Sequence, residues 1–201
     1  MIKVILVDDE RLTREAVEAL LNLEQGLRVV AGAADGESGL AAVAEHEPDV
    51  LVVDLEMPGL GGLDVLERMA EEHPSVRCVM LTRHARPGVL RQALSLGAGG
   101  FLAKTAPATL LADVIRRVHA GLRYVDPEFA AEALAEPACP LTERELAVLR
   151  LVDDHSTTSD IARELNLSAG TVRNYVSSTM AKLDARSRSE AARKAADHGW
   201  L

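Results

Sequence analysis

Aromatic residues are scarce in this chain, 2% of 201 residues, with one Trp, two Tyr and two Phe. Its cores must therefore be built from Leu, Val, Ile and Ala. Cysteine is nearly absent: Cys78 lies inside an apolar run and Cys139 between Ala138 and Pro140. That number and spacing exclude a disulfide framework and a thiolate metal site, and leave two inert thiols. Long hydrophobic runs are missing too, and acids arrive at Asp8, too early for the apolar region of a signal peptide. The expectation is a cytoplasmic protein with no membrane partner. Positive charge is also short, with a net charge of -9 that is unevenly spread: -6 over residues 1–121, -3 over 122–139 and zero over 140–201. Within the last part, residues 165–194 carry six basic and two acidic side chains, which suits an anionic partner or simply a solvated basic face.

What is present is organised around Asp49 to Gly62, DVLVVDLEMPGLGG. Val50 to Val53 suit a parallel strand buried on both faces, and the run stops at a carboxylate, Asp54. Met57-Pro58-Gly59 then turns the chain, so Asp54 should lie on the floor of a crevice at a strand's carboxyl end, as nucleophile or metal ligand. Asp also begins turns, and this stretch alone does not separate the two.

The rest of the chain does. Five apolar runs, at 2–7, 27–33, 50–53, 76–81 and 99–103, alternate with helix-period segments, which predicts a doubly wound parallel α/β sheet. The first run ends in Asp8-Asp9-Glu10, the third in Asp54, the fourth in Thr82 and the fifth in Lys104, all at one sheet edge. Each has a local explanation as a helix-start acid, a cap or a surface lysine. Together they point to phosphoryl transfer, because clustered carboxylates repel unless a cation such as Mg²⁺ joins them. Asp54 would attack phosphorus, Asp8 and Asp9 would hold Mg²⁺, Lys104 would pair as a point charge, and Thr82 would donate its hydroxyl.

With these residues in place, residues 1–121 resemble the receiver domain of two-component response regulators. The resemblance implies a flavodoxin-like five-stranded sheet of order 2-1-3-4-5. It also implies that Asp54 is the phosphoacceptor, Asp8 and Asp9 the acidic pair, and Glu56 the residue whose backbone carbonyl completes the metal shell. Thr82 and Phe101 match the switch hydroxyl and switch aromatic, and Lys104 the family's lysine. One departure stands out: the usually small residue after the switch hydroxyl is Arg83, followed by His84. Arg83 either engages the phosphoryl group or points to solvent, and solvent is the expectation.

Residues 122–140, with Pro127, Pro137 and Pro140 around an acidic, alanine-rich middle, read as a linker holding one short helix. A second domain, 141–201, opens with Thr142 and Glu145 as a capping box and Leu141 and Leu146 as a hydrophobic staple. Thr157 with Asp160, Ser168 with Thr171, and Ser187 with Glu190 mark three more helix starts, giving a four-helix all-α domain. In the third helix Val172, Val176, Met180 and Leu183 share one face, and Arg173, Asn174, Ser177 and Ser178 the other. Such a helix, after a shorter helix and a tight turn, is how helix-turn-helix domains offer base-reading groups to the major groove. An amphipathic surface helix is the plainer alternative.

Through LTERELAVLRLV, DIARELNLSAGTVRNYVSSTMAKL and RSRSEAA, residues 141–191 resemble the LuxR-type DNA-binding domain of the NarL/FixJ family. The resemblance implies a non-enzymatic transcription regulator that takes phosphate from a sensor histidine kinase. It implies a homodimer on phosphorylation and double-stranded DNA read through Thr171, Arg173, Asn174, Ser177 and Lys182. The final helix, with Ala191, Ala192, Ala195 and Ala196, would form the dimer contact on DNA, and Trp200 would cap it or fray. The match weakens at 155–159, where His155 and Thr158 replace a usual glycine and asparagine. Two rivals stay open: a metal-dependent phosphatase, which usually needs Asp two residues after its nucleophile where this chain has Glu56, and a constitutive DNA-binding protein whose receiver no longer switches.

Overall fold

The computed structural model describes residues 1–83, 86–135, 139–152 and 157–201; His84, Pro137, His155 and Ser156 lie outside them. The chain divides into two compact units, one holding residues 1–131 apart from 86–89, the other holding 86–89 and residues 132–201.

The first unit is a parallel sheet of six strands in the order β2-β1-β3-β4-β5-β6. Its strands are β1 (Ile2–Val7), β2 (Leu27–Ala33), β3 (Val50–Asp54), β4 (Arg77–Thr82), β5 (Gly100–Ala103) and β6 (Tyr124–Val125). Five helices alternate with them: α1 (Arg11–Leu23), α2 (Gly36–His46), α3 (Gly62–Glu72), α4 (Pro87–Ser95) and α5 (Ala108–His119). Strand side chains alternate between faces. Val4, Leu6, Val50, Val52, Val79, Leu81 and Leu102 pack with Leu21 of α1 and Leu111, Val114, Ile115 and Val118 of α5. The intervening residues Ile5, Val7, Leu51, Val53 and Met80 are buried too, as the doubly covered sheet requires. On that side α2 comes so close that a Cβ on Gly39 would meet Val7 Cγ2 at 2.8 Å.

The sheet therefore has one strand more than the five expected. β6 pairs parallel to β5, Gly100 with Tyr124 and Phe101 with Val125, and a helix, α6 (Pro127–Ala135), follows it. Part of the stretch read as linker is thus docked on the sheet edge. Phe129 of α6 is buried and meets Phe101 edge to face, with ring centroids 5.8 Å apart. A two-residue strand has no period to read, which is why the sequence pattern missed it.

Among the described residues the second unit holds four further helices, α7 (Glu143–Arg150), α8 (Thr158–Glu164), α9 (Ala169–Lys182) and α10 (Arg188–Asp197). All four start at the residues the sequence marked: Thr142, Thr157, Ser168 and Ser187 each accept a hydrogen bond from the backbone N–H three residues on. Leu141 and Leu146 join one cluster, completing the staple. Ala191 and Ala195 are fully buried in the same cluster with Leu141 and Leu149. Ala192 packs against the same cluster, so three of the four alanines expected at a dimer contact help to pack α10 inside its own unit, because close helix approach is what small residues permit there. Trp200 packs in this cluster as well, stacks on His198 at 4.5 Å, and donates its backbone N–H to the Ala195 carbonyl, so it does not fray. Among the described residues no helix is long and apolar enough to cross a membrane.

Candidate functional site

The carboxyl ends of β1, β3, β4 and β5 bring the expected groups to one cleft. Asp54, last residue of β3, is 2% exposed, and Asp8, just past β1, 1%. Lys104, just past β5, donates from Nζ to Asp54 Oδ2 at 2.6 Å and lies 2.9 Å from Asp8 Oδ2. Each carboxylate keeps its other oxygen on a backbone N–H: Glu10 donates to Asp8 Oδ1 at 2.9 Å, and Glu56 to Asp54 Oδ1 at 3.2 Å. Burial pushes the Asp54 carboxyl up, assisted by the Asp8 charge and opposed by Lys104 and the Glu56 N–H. Burial works against the Lys104 ammonium, but its bonds to Asp54 and Asp8 outweigh it and hold the lysine above its ordinary value.

Asp9 completes the set from the surface. One carboxylate oxygen from each of Asp8, Asp9 and Asp54 lies within 4.8 Å of the others. Three carboxylates against one ammonium leave an excess of negative charge, and their donors are all hard oxygens, which fits a small divalent cation. The cleft is lined by Asp9, Glu10, Asp54, Glu56, Arg83 and Lys104, so an anion would enter only with such a cation or by displacing acid side chains. Thr82 is fully buried at the end of β4, and its carbonyl accepts the Lys104 backbone N–H at 2.7 Å, tying the two residues' strand ends together. Phe101 is fully buried in β5.

Three features escaped the sequence reading. Arg83 does not simply point to solvent: its guanidinium pairs with Glu10. Gly62 opens α3 against the end of β3, and a Cβ there would fall on the Asp54 carbonyl oxygen. The pair of glycines after Leu60 was the available signal, though it shows a turn and not what the turn touches.

The third feature is in the second unit. Glu145, legible only as a capping-box residue, is buried and collects Thr142 N–H at 2.7 Å, Ser178 Oγ at 2.6 Å and Lys182 Nζ at 2.7 Å. Burial alone would raise its carboxyl, yet these donors bring it down to about 2. On α9, Arg173, Asn174 and Ser177 are exposed, while Val172 is buried and Thr171 is joined to the Ser168 cap at 2.8 Å. Lys182 is on the same helix, with its ammonium engaged by Glu145.

Comparison with known proteins agrees with both units. Residues 4–116 match the family described as response regulator receiver domain, and residues 139–195 match the bacterial regulatory proteins of the luxR family. Along the full length of both chains the protein is 40% identical to the uncharacterized transcriptional regulatory protein YvfU and 38% identical to the transcriptional regulatory protein DesR, both of Bacillus subtilis strain 168. Among solved structures it is similar to the two-component response regulator RcsB in complex with DNA, 25% identical, TM-score 0.69, covering 98% of each chain. The chain belongs to the response regulators that join a receiver domain to a LuxR-family DNA-binding domain and regulate transcription.

Proposed function

We propose that Asp54 accepts a phosphoryl group from the phosphohistidine of a sensor kinase and that this modification gates binding of duplex DNA by a dimer. The observation that carries the reading is the Lys104 ammonium set between Asp54 and Asp8 on the floor of an acidic cleft. An Asp54 carboxylate oxygen attacks phosphorus, the bond from phosphorus to the donor's imidazole nitrogen breaks, and the imidazole takes its proton from solvent. Lys104 is close enough to pair with the new oxyanion, and Thr82 is the hydroxyl one strand over. Asp8, Asp9, Asp54 and the Glu56 carbonyl would hold Mg²⁺, which when bound supplies the positive charge that lets a dianionic donor approach.

In the second unit the exposed Arg173, Asn174 and Ser177, with Thr171 at the helix start, are the groups for base edges and nearby phosphates. Lys182 serves phosphate contact through an ammonium it shares with Glu145. The support is the family match and the RcsB complex, in which a related chain is bound to DNA. The protein is read as a phosphoryl acceptor and switch, not a catalyst turning over a small substrate, and as a cytoplasmic one.

The test is labelling by acetyl phosphate. Intact mass should rise by one phosphoryl group with Mg²⁺ present, and neither the Asp54→Asn variant nor protein in EDTA should gain it. Equal labelling of Asp54→Asn would overturn the assignment.

A further inference from the structure

The Arg83–Glu10 pair has a position that follows from the strand order. Glu10 follows β1 and Arg83 follows β4, and β3, with Asp54 at its end, lies between them. Neighbouring strands are about 4.8 Å apart, so the two side chains must together span roughly two such spacings. The ion pair therefore crosses the carboxyl end of the strand that carries Asp54. Both residues line the same cleft as Asp54 and Lys104. Glu10 is also fixed from its other oxygen, which accepts from Thr13 Oγ1 at 3.0 Å.

The pair is half-exposed, 54% for the Arg83 side chain and 36% for that of Glu10, so it is weak and exchanges partners readily. A phosphoryl group on Asp54 would present a dianion to a guanidinium whose planar donors suit phosphate oxygens better than a single carboxylate does. Hydrolysis of that acyl phosphate needs a water oxygen to bond to phosphorus as the bond from phosphorus to the Asp54 oxygen breaks. The carboxylate leaves and a water proton passes to solvent or to the phosphate released. In-line attack comes from the side opposite the leaving oxygen. With Asp54 on the floor, that side is the mouth of the cleft.

We propose that Arg83 is a bar across this mouth: it rests on Glu10 before phosphorylation, transfers to the phosphoryl oxygens afterwards, and so slows both entry of the donor and hydrolysis of the acyl phosphate. This rests on the reading of Asp54 as the phosphoacceptor. Arg83 is a specificity and lifetime residue for that site, and Glu10 is its resting partner.

The two ends of the pair give decay effects of opposite sign. In the full-length protein loaded with acetyl phosphate and Mg²⁺, then freed of donor, intact mass follows both loading and decay. Arg83→Ala should load faster and lose its phosphoryl group about fivefold faster than the unaltered chain, with Arg83→Lys in between. Glu10→Gln should also load faster but decay no faster than the unaltered chain, because Arg83 is then released to the phosphoryl group. Decay of Arg83→Ala within about twofold of the unaltered chain, or Glu10→Gln decaying as fast as Arg83→Ala, would overturn the bar while leaving the phosphoacceptor intact. Label that persists in Asp54→Asn would overturn the phosphoacceptor reading and the bar with it.

Discussion

Asp54 and Glu145 are both buried carboxylates, and each meets a lysine ammonium brought from far along the chain. For Glu145 the consequence is a pH dependence of stability with a definite sign. Its folded carboxyl lies at about 2 against an ordinary 4.5, so its contribution is complete above about 4.5 and is lost as pH falls towards about 2. Trp200, the single tryptophan, packs in the core of the second unit and reports its unfolding by fluorescence. Denaturant unfolding followed at Trp200 should weaken across that acid window, and Glu145→Gln should flatten the dependence while lowering stability above it by about 2–4 kcal/mol. An unaltered acid profile in Glu145→Gln would count against the pairing. On α9, Arg173→Ala should cost about 1–3 kcal/mol of DNA affinity and relax base preference. Lys182→Ala should instead show two losses, in DNA affinity at all sequences and in Trp200-reported stability, because it strands the Glu145 carboxylate. At this scale the sequence pointed to residues that the fold does bring to one sheet edge, since Asp8, Asp54, Thr82 and Lys104 each end an apolar run. It did not show the partners: Lys182 and Glu145 are 37 residues apart, and no local pattern links Arg83 to Glu10 across 73.

Two junctions between elements stand out in the first unit, one under the cleft and one at the sheet edge. α3 starts at Gly62 directly over the Asp54 carbonyl, whereas Gly61, one residue earlier, has ordinary room, its nearest neighbour being Asp64 Oδ2 at 3.5 Å from an added Cβ. Gly61→Ala should therefore label normally with acetyl phosphate, while Gly62→Ala should lose labelling and about 1–3 kcal/mol of stability as α3 or Asp54 is pushed aside. Equal labelling of the two variants would contradict that packing. The second junction is Phe101 against Phe129, which ties α6 to the sheet edge beyond β5. Phe129→Ala should destabilise the first unit by about 3 kcal/mol, measured by thermal unfolding, whereas a free linker helix would lose nothing. Long periodic elements were legible from the pattern, as were all four helix starts of the second unit, because a cap is a local signal. β6 and the docking of α6 were not, since a two-residue strand and a single buried phenylalanine leave no period.

Across the whole molecule, charge and family membership lead to the same expectation. Residues 140–201 sum to zero charge, so one copy gains little from counterion release, which supplies most non-specific DNA affinity. Two copies held together make the second half-site contact intramolecular, which can add roughly 10² to 10⁴ in affinity. Phosphorylation at Asp54 gates binding if it favours the dimer, and the size of that effect is bounded by how differently the two states dimerise. The measurement that tests this most directly is a titration, at matched salt, of a duplex selected from a random pool by the phosphorylated protein. Phosphorylated protein, unphosphorylated protein and Asp54→Asn are compared, with dimer content read by sedimentation in the same samples. Affinity and dimer content should rise together in the phosphorylated protein alone. Unphosphorylated monomer binding as tightly as the phosphorylated protein would contradict the gating and leave a constitutive DNA-binding protein.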